Sequence, residues 1–306
     1  MALPVESNYP TQPIRLIVPF AAGGGTDVLA RLLARYMGPH LGQTIVVENV
    51  TGAGGTIGAT QVARAAADGY MLMIGTPSTI QVNPVIQKDL RYDPSKDFSP
   101  VSQFTDSPVA LVINKNLPWT SVNDLVAAAK LKPGTINFGS AGKGSIEHLS
   151  AEMFEAQANI KMAHVPYRGT SQSLNDLRSG FIQVLFENLP PVLQLIQANE
   201  IKALAIGSAN RSGFLPDLPT ISESGVTGYE STSWLGLFAP SGTPQQIIKK
   251  IEKAAMAAAA EPAVIEAVRK LGAEAVGSNR ADFRIFLDER RPVIEQVIKK
   301  AGMAIE

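Results

Sequence analysis

Residues 18–34, VPFAAGGGTDVLARLLA, join a short apolar run to a strongly periodic helix pattern through three consecutive glycines. Glycine costs backbone entropy, so Gly23, Gly24 and Gly25 need a reason to be there. A helix N-terminus presents unpaired backbone N–H groups and a partial positive charge. Glycine lets an anion approach that backbone closely, so the stretch predicts a strand, a ligand-facing loop and a helix.

The same order of elements continues along the whole chain. Between the strands lie helix patterns such as the one that begins near Asp27 and the one that follows the second glycine-rich turn, 51–56. This alternation predicts parallel sheets with helices on both faces. The predicted strands lie near 14–19, 44–50, 70–77, 108–116, 135–140, 161–167, 181–188, 201–208 and 234–242, and the last three helices near 244–260, 261–271 and 281–300.

The length of 306 residues favours two domains over one. We predict one α/β domain from residues 1–105 plus 235–306, with the C-terminal helices packed on it, and a second from residues 106–234. Chain passages near 103–110 and 228–237 would join them. Ligands of open α/β sheets bind beyond the carboxyl ends of the strands, so we expect the site in the cleft between the two domains.

Composition excludes several classes of protein. Lys plus Arg and Asp plus Glu both count 27, so no basic excess points to nucleic acid or an anionic membrane. No apolar run approaches the roughly 20 residues of a membrane span. Cysteine is absent and the three histidines lack ligand spacing, so we expect no Cys- or His-based metal site. Residues 1–9 lack a signal-peptide pattern, which indicates either a cytoplasmic protein or a mature terminus given a new Met.

Enzyme motifs fail one by one. The dinucleotide fingerprint GxGxxG is broken by Val28 in the first glycine-rich loop and by Ile57 in the second. Phe138 stands where a GxSxG elbow needs glycine, and Gly144 follows Lys143 where a P-loop needs Ser or Thr. We therefore expect no enzyme. An α/β enzyme on organic acids, using Asp27, His148 or Glu187 for proton transfer, stays open as an alternative.

With the enzyme motifs excluded, a ligand-binding function remains. Three loops, each before a helix, indicate it: residues 21–27, 51–56 and 140–145. We expect one ligand carboxylate to lie between the backbone of the first loop and that of the third. Asp27 is expected either to complement the helix dipole, or to fix its loop or contact a ligand amine or water. Lys143 and Arg168 are expected either to attract anions or to face water. The candidate ligand-binding residues are Phe20, Ala21, Gly24, Gly25, Thr26, Asp27, Thr76, Ser78, Ser140, Ala141, Gly144, Ser145, His148, Tyr167, Gly169, Thr170, Glu187, Asn188 and Trp234.

Several of these candidates have two readings. Phe20, Tyr167 and Trp234 suit either an apolar pocket wall or the core. Ser145 is a natural helix N-cap whether or not it meets a ligand. His148 is expected to be a structural hydrogen-bonding residue, and Asn188, which can donate and accept, suits the polar tip of a ligand.

The chain also resembles a known family, through motifs that cover nearly its whole length in order. They are IRLIVPFAAGGGTDVLARLLA, VVENVTGAGGTIGA, DGYMLMIGTP, NFGSAGKGSIEHLSAEMF, HVPYRGTSQSLNDL and SWLGLFAPSGTP. These resemble the Bug proteins, the solute-binding receptors of tripartite tricarboxylate transporters. The resemblance implies a periplasmic, monomeric two-domain protein of the Venus-flytrap type (type II-like), without a cofactor. It implies a small mono-, di- or aromatic carboxylate as ligand and handover to membrane permease subunits.

Two features depart from the family pattern. Val50-Thr51 replaces the usual Arg-Pro before Gly-Ala-Gly-Gly, and Gln183 and Glu187-Asn188 stand where the family has Asp-x-x-x-Asp-Asn. Gln183 loses a charge and Glu187 is one methylene longer. A receptor that serves a sensor kinase of a two-component system would share the same site, so that alternative also stays open.

Overall fold

The structure, a computed structural model, describes residues 8–301. Most of the N-terminal stretch considered for a signal peptide, residues 1–7, lies outside the described residues. The strands are β1 Ile14–Val18, β2 Ile45–Asn49, β3 Met71–Gly75, β4 Phe98–Asn114, β5 Asn137–Ser140, β6 Ala163–Pro166, β7 Val184–Asn188, β8 Ile201–Ile206, β9 Thr232–Pro240 and β10 Glu274–Ala275.

The helices alternate with these strands, as the sequence predicts. A 3₁₀ turn at Ala53–Gly55 and a π-helical turn at Ser78–Val82 accompany them. The helices are α1 Gly25–Leu41, α2 Thr56–Ala63, α3 Asn83–Ile86, α4 Pro94–Asp97, α5 Val122–Leu131, α6 Ile146–Ala158, α7 Thr170–Ser179, α8 Leu189–Gln197, α9 Gln245–Ala260, α10 Pro262–Lys270 and α11 Arg280–Ala301.

Two sets of parallel strands form the sheet. In the first parallel set, β1 pairs with β2 and β3; in the second, β5 pairs with β6 and β7. The strand order β2-β1-β3-β9-β4-β7-β5-β6 shows that β9 and β4 lie between the two sets, and both run antiparallel to their neighbours. The mixed α/β class is therefore confirmed, and the two parallel sets direct their carboxyl ends toward a shared cleft.

Apolar clusters cover both faces of each set. Leu33 and Met37 of α1 pack with Ile251 of α9 on one face of the first set, and Trp234 and Phe283 lie on the other. In the second set, α5 and α6 cover one face, and α7 and α8 cover the other. The periodicity that predicts each helix from the sequence also supplies its buried stripe.

Strand β4 is longer than predicted. The sequence indicates a strand at 108–116, but β4 begins at Phe98 because residues 98–108 pair antiparallel with β9. Its polar residues Ser102, Gln103 and Thr105 are buried between strands that lie far apart in the sequence. A single continuous strand thus runs from the first parallel set to the second.

Helix α11 departs from the expectation that the C-terminal helices pack on the first domain. Phe283 and Leu287 pack on the first parallel set, but Ile294 and Ile298 pack with the cluster of the second set, beside α6. The helix is 22 residues long, long enough to reach both. The domain limits of 105 and 235 stay a prediction. Within residues 8–301, no helix is long and apolar enough to cross a membrane.

Candidate functional site

A cavity of about 610 Å³, partly open to solvent, lies between the two parallel sets. The loops after β1, β3, β5, β6 and β7 meet there with parts of β4 and β9. Its lining residues are Phe20, Ala21, Gly24, Gly25, Thr26, Leu29, Thr76, Ser78, Ser107, Ala141, Ile146, Glu147, Gly169, Thr170, Glu187, Asn188, Pro190, Pro191, Ser233 and Leu235.

The N-terminus of α1 opens into this cavity. Gly24 is its N-cap and offers no side chain to cap the helix. Within residues 8–301, the amides of Gly25, Thr26 and Asp27 have no hydrogen-bond acceptor. The first turn therefore presents unpaired N–H groups and the positive end of the helix dipole to a ligand.

Asp27 holds this loop in place instead of facing the cavity. Its Oδ2 accepts hydrogen bonds from the Gly23 amide at 2.9 Å and from Arg31 at 3.0 Å, and its Oδ1 accepts one from Asn49 at 2.9 Å. Burial opposes its charge, but these bonds outweigh burial and keep the pKa of Asp27 below its usual value. Asp27 thus fixes the glycine-rich loop and does not line the cavity, and its predicted contact with a ligand stays a prediction.

The N-terminus of α7 approaches the same loop from the opposite side. Gly169, the N-cap of α7, lies so close to Ala21 that a Cβ added to it would be 3.0 Å from the Ala21 Cβ. The α7 N-terminus likewise has no side-chain cap. Two uncapped helix N-termini, those of α1 and α7, thus face each other across the cavity.

The loop at 140–145 is the one predicted to bind the ligand opposite α1. Amides in and just after it already donate to other groups of the protein. The Gly142 amide donates to Ser140 Oγ, the Gly144 amide donates to His148 Nδ1 at 3.3 Å, and the Ile146 amide donates to Ser78 Oγ at 2.9 Å. Of this loop only Ala141 lines the cavity. Ser140, Gly144 and Ser145 do not line the cavity; they shape the loop and hold it against the first parallel set, so their ligand contacts stay predictions.

His148 also lies away from the cavity. It stacks on His164 with ring centroids 4.1 Å apart, and His164 stacks on Phe138 at 4.9 Å. This stacking and the bond from the Gly144 amide agree with a structural role, and the predicted ligand contact of His148 stays a prediction.

Two further predicted aromatic contacts, Tyr167 and Trp234, do not line this cavity either. Tyr167 donates from its hydroxyl to Asp176 at 2.7 Å and lines the neighbouring cavity. Trp234 is buried against Phe238 and Phe283, and its indole donates to Gln81. Because side chains alternate along β9, Ser233 and Leu235 face the cavity and Trp234 faces the opposite side.

The cavity contains two buried carboxyl groups. Glu147, in the first turn of α6, is 4% exposed, and Glu187, near the end of β7, is 1% exposed. Asn188 joins them: its Nδ2 donates to Glu147 Oε1 at 3.1 Å and its backbone amide donates to Glu187 Oε1 at 3.0 Å. Burial raises the pKa of Glu147, and burial together with the nearby Glu147 raises the pKa of Glu187 well above its usual range.

Sequence reasoning missed eight lining residues: Leu29, Ser107, Ile146, Glu147, Pro190, Pro191, Ser233 and Leu235. Two of them carried a usable signal. Pro190 and Pro191 directly follow the predicted contact Asn188 at the start of α8. Glu147 is typical of a helix first turn, where an acidic residue complements the dipole, so its type alone does not reveal a binding role.

A second cavity, of about 950 Å³, lies beside the first and shares Phe20 and Ala141 with it. Its lining includes the glycine-rich turn at 52–55 and three cationic residues, Lys88, Lys143 and Arg168. The cationic side chains thus lie in the outer cavity, whereas the inner one holds the carboxyl groups. Within residues 8–301, no group of three or more His, Asp or Glu residues is placed to hold a metal ion.

Comparison with known proteins places this geometry in a family. A family model described as "Tripartite tricarboxylate transporter family receptor" matches residues 29–303. Protein BugT of Bordetella pertussis is 35% identical over 308 residues, covering 100% of this chain and 94% of BugT.

Two solved structures resemble the chain closely. "R. palustris Rpa4515 with adipate" has a TM-score of 0.93 at 38% identity and covers 97% of this chain and 99% of that one. MatC from Rhodopseudomonas palustris with bound malate has a TM-score of 0.91 at 32% identity, with coverage of 95% and 100%. Both of these similar proteins hold a dicarboxylate.

Proposed function

The chain belongs to the tripartite tricarboxylate transporter receptor family, and from that premise we propose that it captures a small carboxylate in the periplasm for uptake by a membrane permease. The observation that carries the proposal is the uncapped first turn of α1. Its free amides open into an enclosed cavity and face the uncapped N-terminus of α7.

The carboxylate would lie between these two helix N-termini. Two oxygens can accept hydrogen bonds from the amides of Gly25 and Thr26 on one side and from the first turn of α7 on the other, directly or through ordered water. No side-chain cation lines this cavity among the described residues, so the binding energy would come mainly from backbone dipoles. Adipate and malate in the two similar structures support this chemistry.

The enzyme alternative finds little support in the geometry. Asp27 and His148, two of the three groups considered for proton transfer, point away from the cavity. Glu187 does line it, but no histidine lines the cavity with it among the described residues. A receptor needs only to bind and release its ligand unchanged.

Ligand identification tests the proposal. Protein purified without added ligand is denatured, and the released small molecules are identified by mass spectrometry. A thermal-shift screen with mono-, di- and amino carboxylates, sugars and phosphates follows. We expect a carboxylate to raise the melting temperature and to be recovered unchanged after incubation. Stabilisation by sugars or phosphates alone would contradict the proposed ligand class, and a chemically altered acid would favour the enzyme.

A further inference from the structure

Three buried oxygen atoms in the cavity lack a donor. Within residues 8–301, no hydrogen-bond donor reaches Glu147 Oε2, Glu187 Oε2 or Asn188 Oδ1. The hydroxyls of Ser145 and Thr170 lie near enough to favour the charged forms of Glu147 and Glu187, but neither completes a hydrogen bond to Oε2. Buried acceptors without partners are costly, so a donor from outside the chain is expected to meet them.

The orientation of the Asn188 amide follows from its neighbour. Its nitrogen donates to Glu147 Oε1 at 3.1 Å. The reversed orientation would place an oxygen against a carboxyl oxygen, so the Asn188 oxygen is the atom left free. Three side chains from α6 and the end of β7 therefore offer acceptors to one space.

No cationic side chain of the described residues lines the cavity beside this group, and His148, which lies near Glu147, is outside the cavity lining. The lining of the inner cavity contains neither Lys, Arg nor His among the described residues, and the cations of the outer cavity are Lys88, Lys143 and Arg168. An uncompensated buried carboxylate is strongly unfavourable and is normally protonated or paired. A protonated amine supplies both the charge and three N–H donors.

We propose that the ligand is an amino carboxylate, whose carboxylate lies at the N-termini of α1 and α7 and whose protonated amine lies against Glu147, Glu187 and Asn188. The inference rests on the proposed function, since it places the second end of a ligand whose first end is the carboxylate. A site for an amine distinguishes this chain from a receptor for simple dicarboxylates. The second carboxylate of a dicarboxylate would lie against the carboxyl groups of Glu147 and Glu187 instead of against a cation.

Proton exchange distinguishes the two kinds of ligand. Burial holds the pKa of both glutamates above the usual value, and the groups that face them are each other, His148 beside Glu147, and Thr170 beside Glu187. A ligand amine lowers these pKa values, so binding releases protons and tightens as the pH rises. A second ligand carboxylate raises them, so binding takes up protons and weakens as the pH rises.

The experiment is titration calorimetry at pH 7 in buffers of different ionisation enthalpy. The matched probes are succinate with 4-aminobutyrate, glutarate with 5-aminopentanoate, and adipate with 6-aminohexanoate, together with glutamate and the monocarboxylates of the same lengths. We expect an amino carboxylate to bind at least about tenfold more tightly than its dicarboxylate and monocarboxylate partners, with proton release. Glu187→Gln should remove at least about tenfold of that affinity and should lower monocarboxylate affinity less.

Glu155→Gln is the matched control, because Glu155 is a buried carboxyl of α6 that does not line the cavity. Circular dichroism checks that both variants fold. Tighter binding of a dicarboxylate with proton uptake would overturn this inference and leave the proposed function intact. Binding of none of these acids would overturn both.

Discussion

At the scale of single residues, one glycine of the three at 23–25 has the tightest surroundings. A Cβ on Gly25 would lie 3.0 Å from Cδ of Pro191, in a rigid ring at the start of α8. A Cβ on Gly24 would lie 3.4 Å from the Ala21 carbonyl, an ordinary contact. The two positions therefore differ in tolerance although both line the cavity.

Gly25→Ala is expected to weaken carboxylate binding by at least about tenfold, since the proline ring cannot yield without moving α8 away from α1. Gly24→Ala is the matched control and should bind within about threefold of the parent. Calorimetric titration with the identified ligand measures both, after thermal unfolding has shown intact folding. Equal affinities would show that the approach of α1 to α8 does not matter for binding.

The stack of Phe138, His164 and His148 predicts an acid-sensitive stability. Burial, with repulsion from His148, lowers the pKa of His164 from 6.5 to about 3. His164 of the unfolded chain therefore binds a proton near pH 6.5, whereas His164 of the folded chain stays neutral down to about pH 3. The contribution of His164 to the free energy of unfolding is complete above pH 6.5 and is lost as the pH falls toward 3.

His164→Gln should therefore flatten the pH dependence. Urea unfolding between pH 7 and pH 4 gives the free energy of unfolding at each pH, and the variant should lose less stability over that interval than the parent. Its absolute stability should also be lower at pH 7, because the ring stacking and the bond to Ser140 at 2.6 Å are lost. Parallel pH profiles for the two proteins would contradict the assignment.

Residue types in the sequence predict much of the site, and the failures have a common cause. Phe20, Gly25, Thr170 and Asn188 follow strands at the carboxyl edge, so their place in the chain leads them to the cavity. Trp234 and His148, in contrast, were predicted as ligand contacts from their side-chain chemistry and not from their place at a strand end. Which side of β9 or α6 faces the cleft depends on partners distant in sequence, which no local pattern reveals.

At the scale of elements, the loop at 140–145 packs against the first parallel set, and only its Ala141 lines the cavity. A Cβ on Gly144 would lie 2.1 Å from Asn83 Oδ1, and the Ile146 amide already donates to Ser78. The sequence predicts the limits of α6 well, since Ser145 caps it and its apolar stripe is regular. The sequence does not predict which element the N-terminus of α6 contacts, because the π-helical turn in that contact has no periodic pattern.

Gly144→Ala is expected to reduce ligand affinity by at least about tenfold by keeping the two sides of the cleft apart. Its φ of +80° adds strain of about 1 kcal/mol. Gly134→Ala is the control for that strain, because Gly134 has a φ of +74° and nothing within 4 Å of an added Cβ. Both variants should lose similar stability, and only the first should lose affinity. The same affinity in both would show that this contact is not needed for the bound state.

At the scale of the whole molecule, three passages connect the two parallel sets: β4, the start of β9, and α11. Gly207 donates to the Val109 carbonyl and Ser231 donates to the Gly207 carbonyl, which ties the strand passages together. Pro292 removes one intrahelical hydrogen bond from α11 between Leu287, which packs on the first set, and Ile298, which packs on the second. Bending between the sets therefore has to occur at these few positions.

We expect the two parallel sets to close around the ligand by hinge bending, and the fluorescence of Trp234 to report the closure. Its indole donates to Gln81 at 3.2 Å, and Gln81 lies in the same π-helical turn as Ser78, which bonds to the start of α6 across the cleft. Opening the cleft breaks the Ser78 bond and disturbs the turn against which the indole packs. In a Trp119→Phe background, where Trp234 is the sole tryptophan, saturating ligand should change the emission, and X-ray scattering should show a smaller radius of gyration. A scattering profile that is the same with and without ligand would mean that the ligand enters a cleft already closed, and the glycine contacts at 25 and 144 would then be permanent packing.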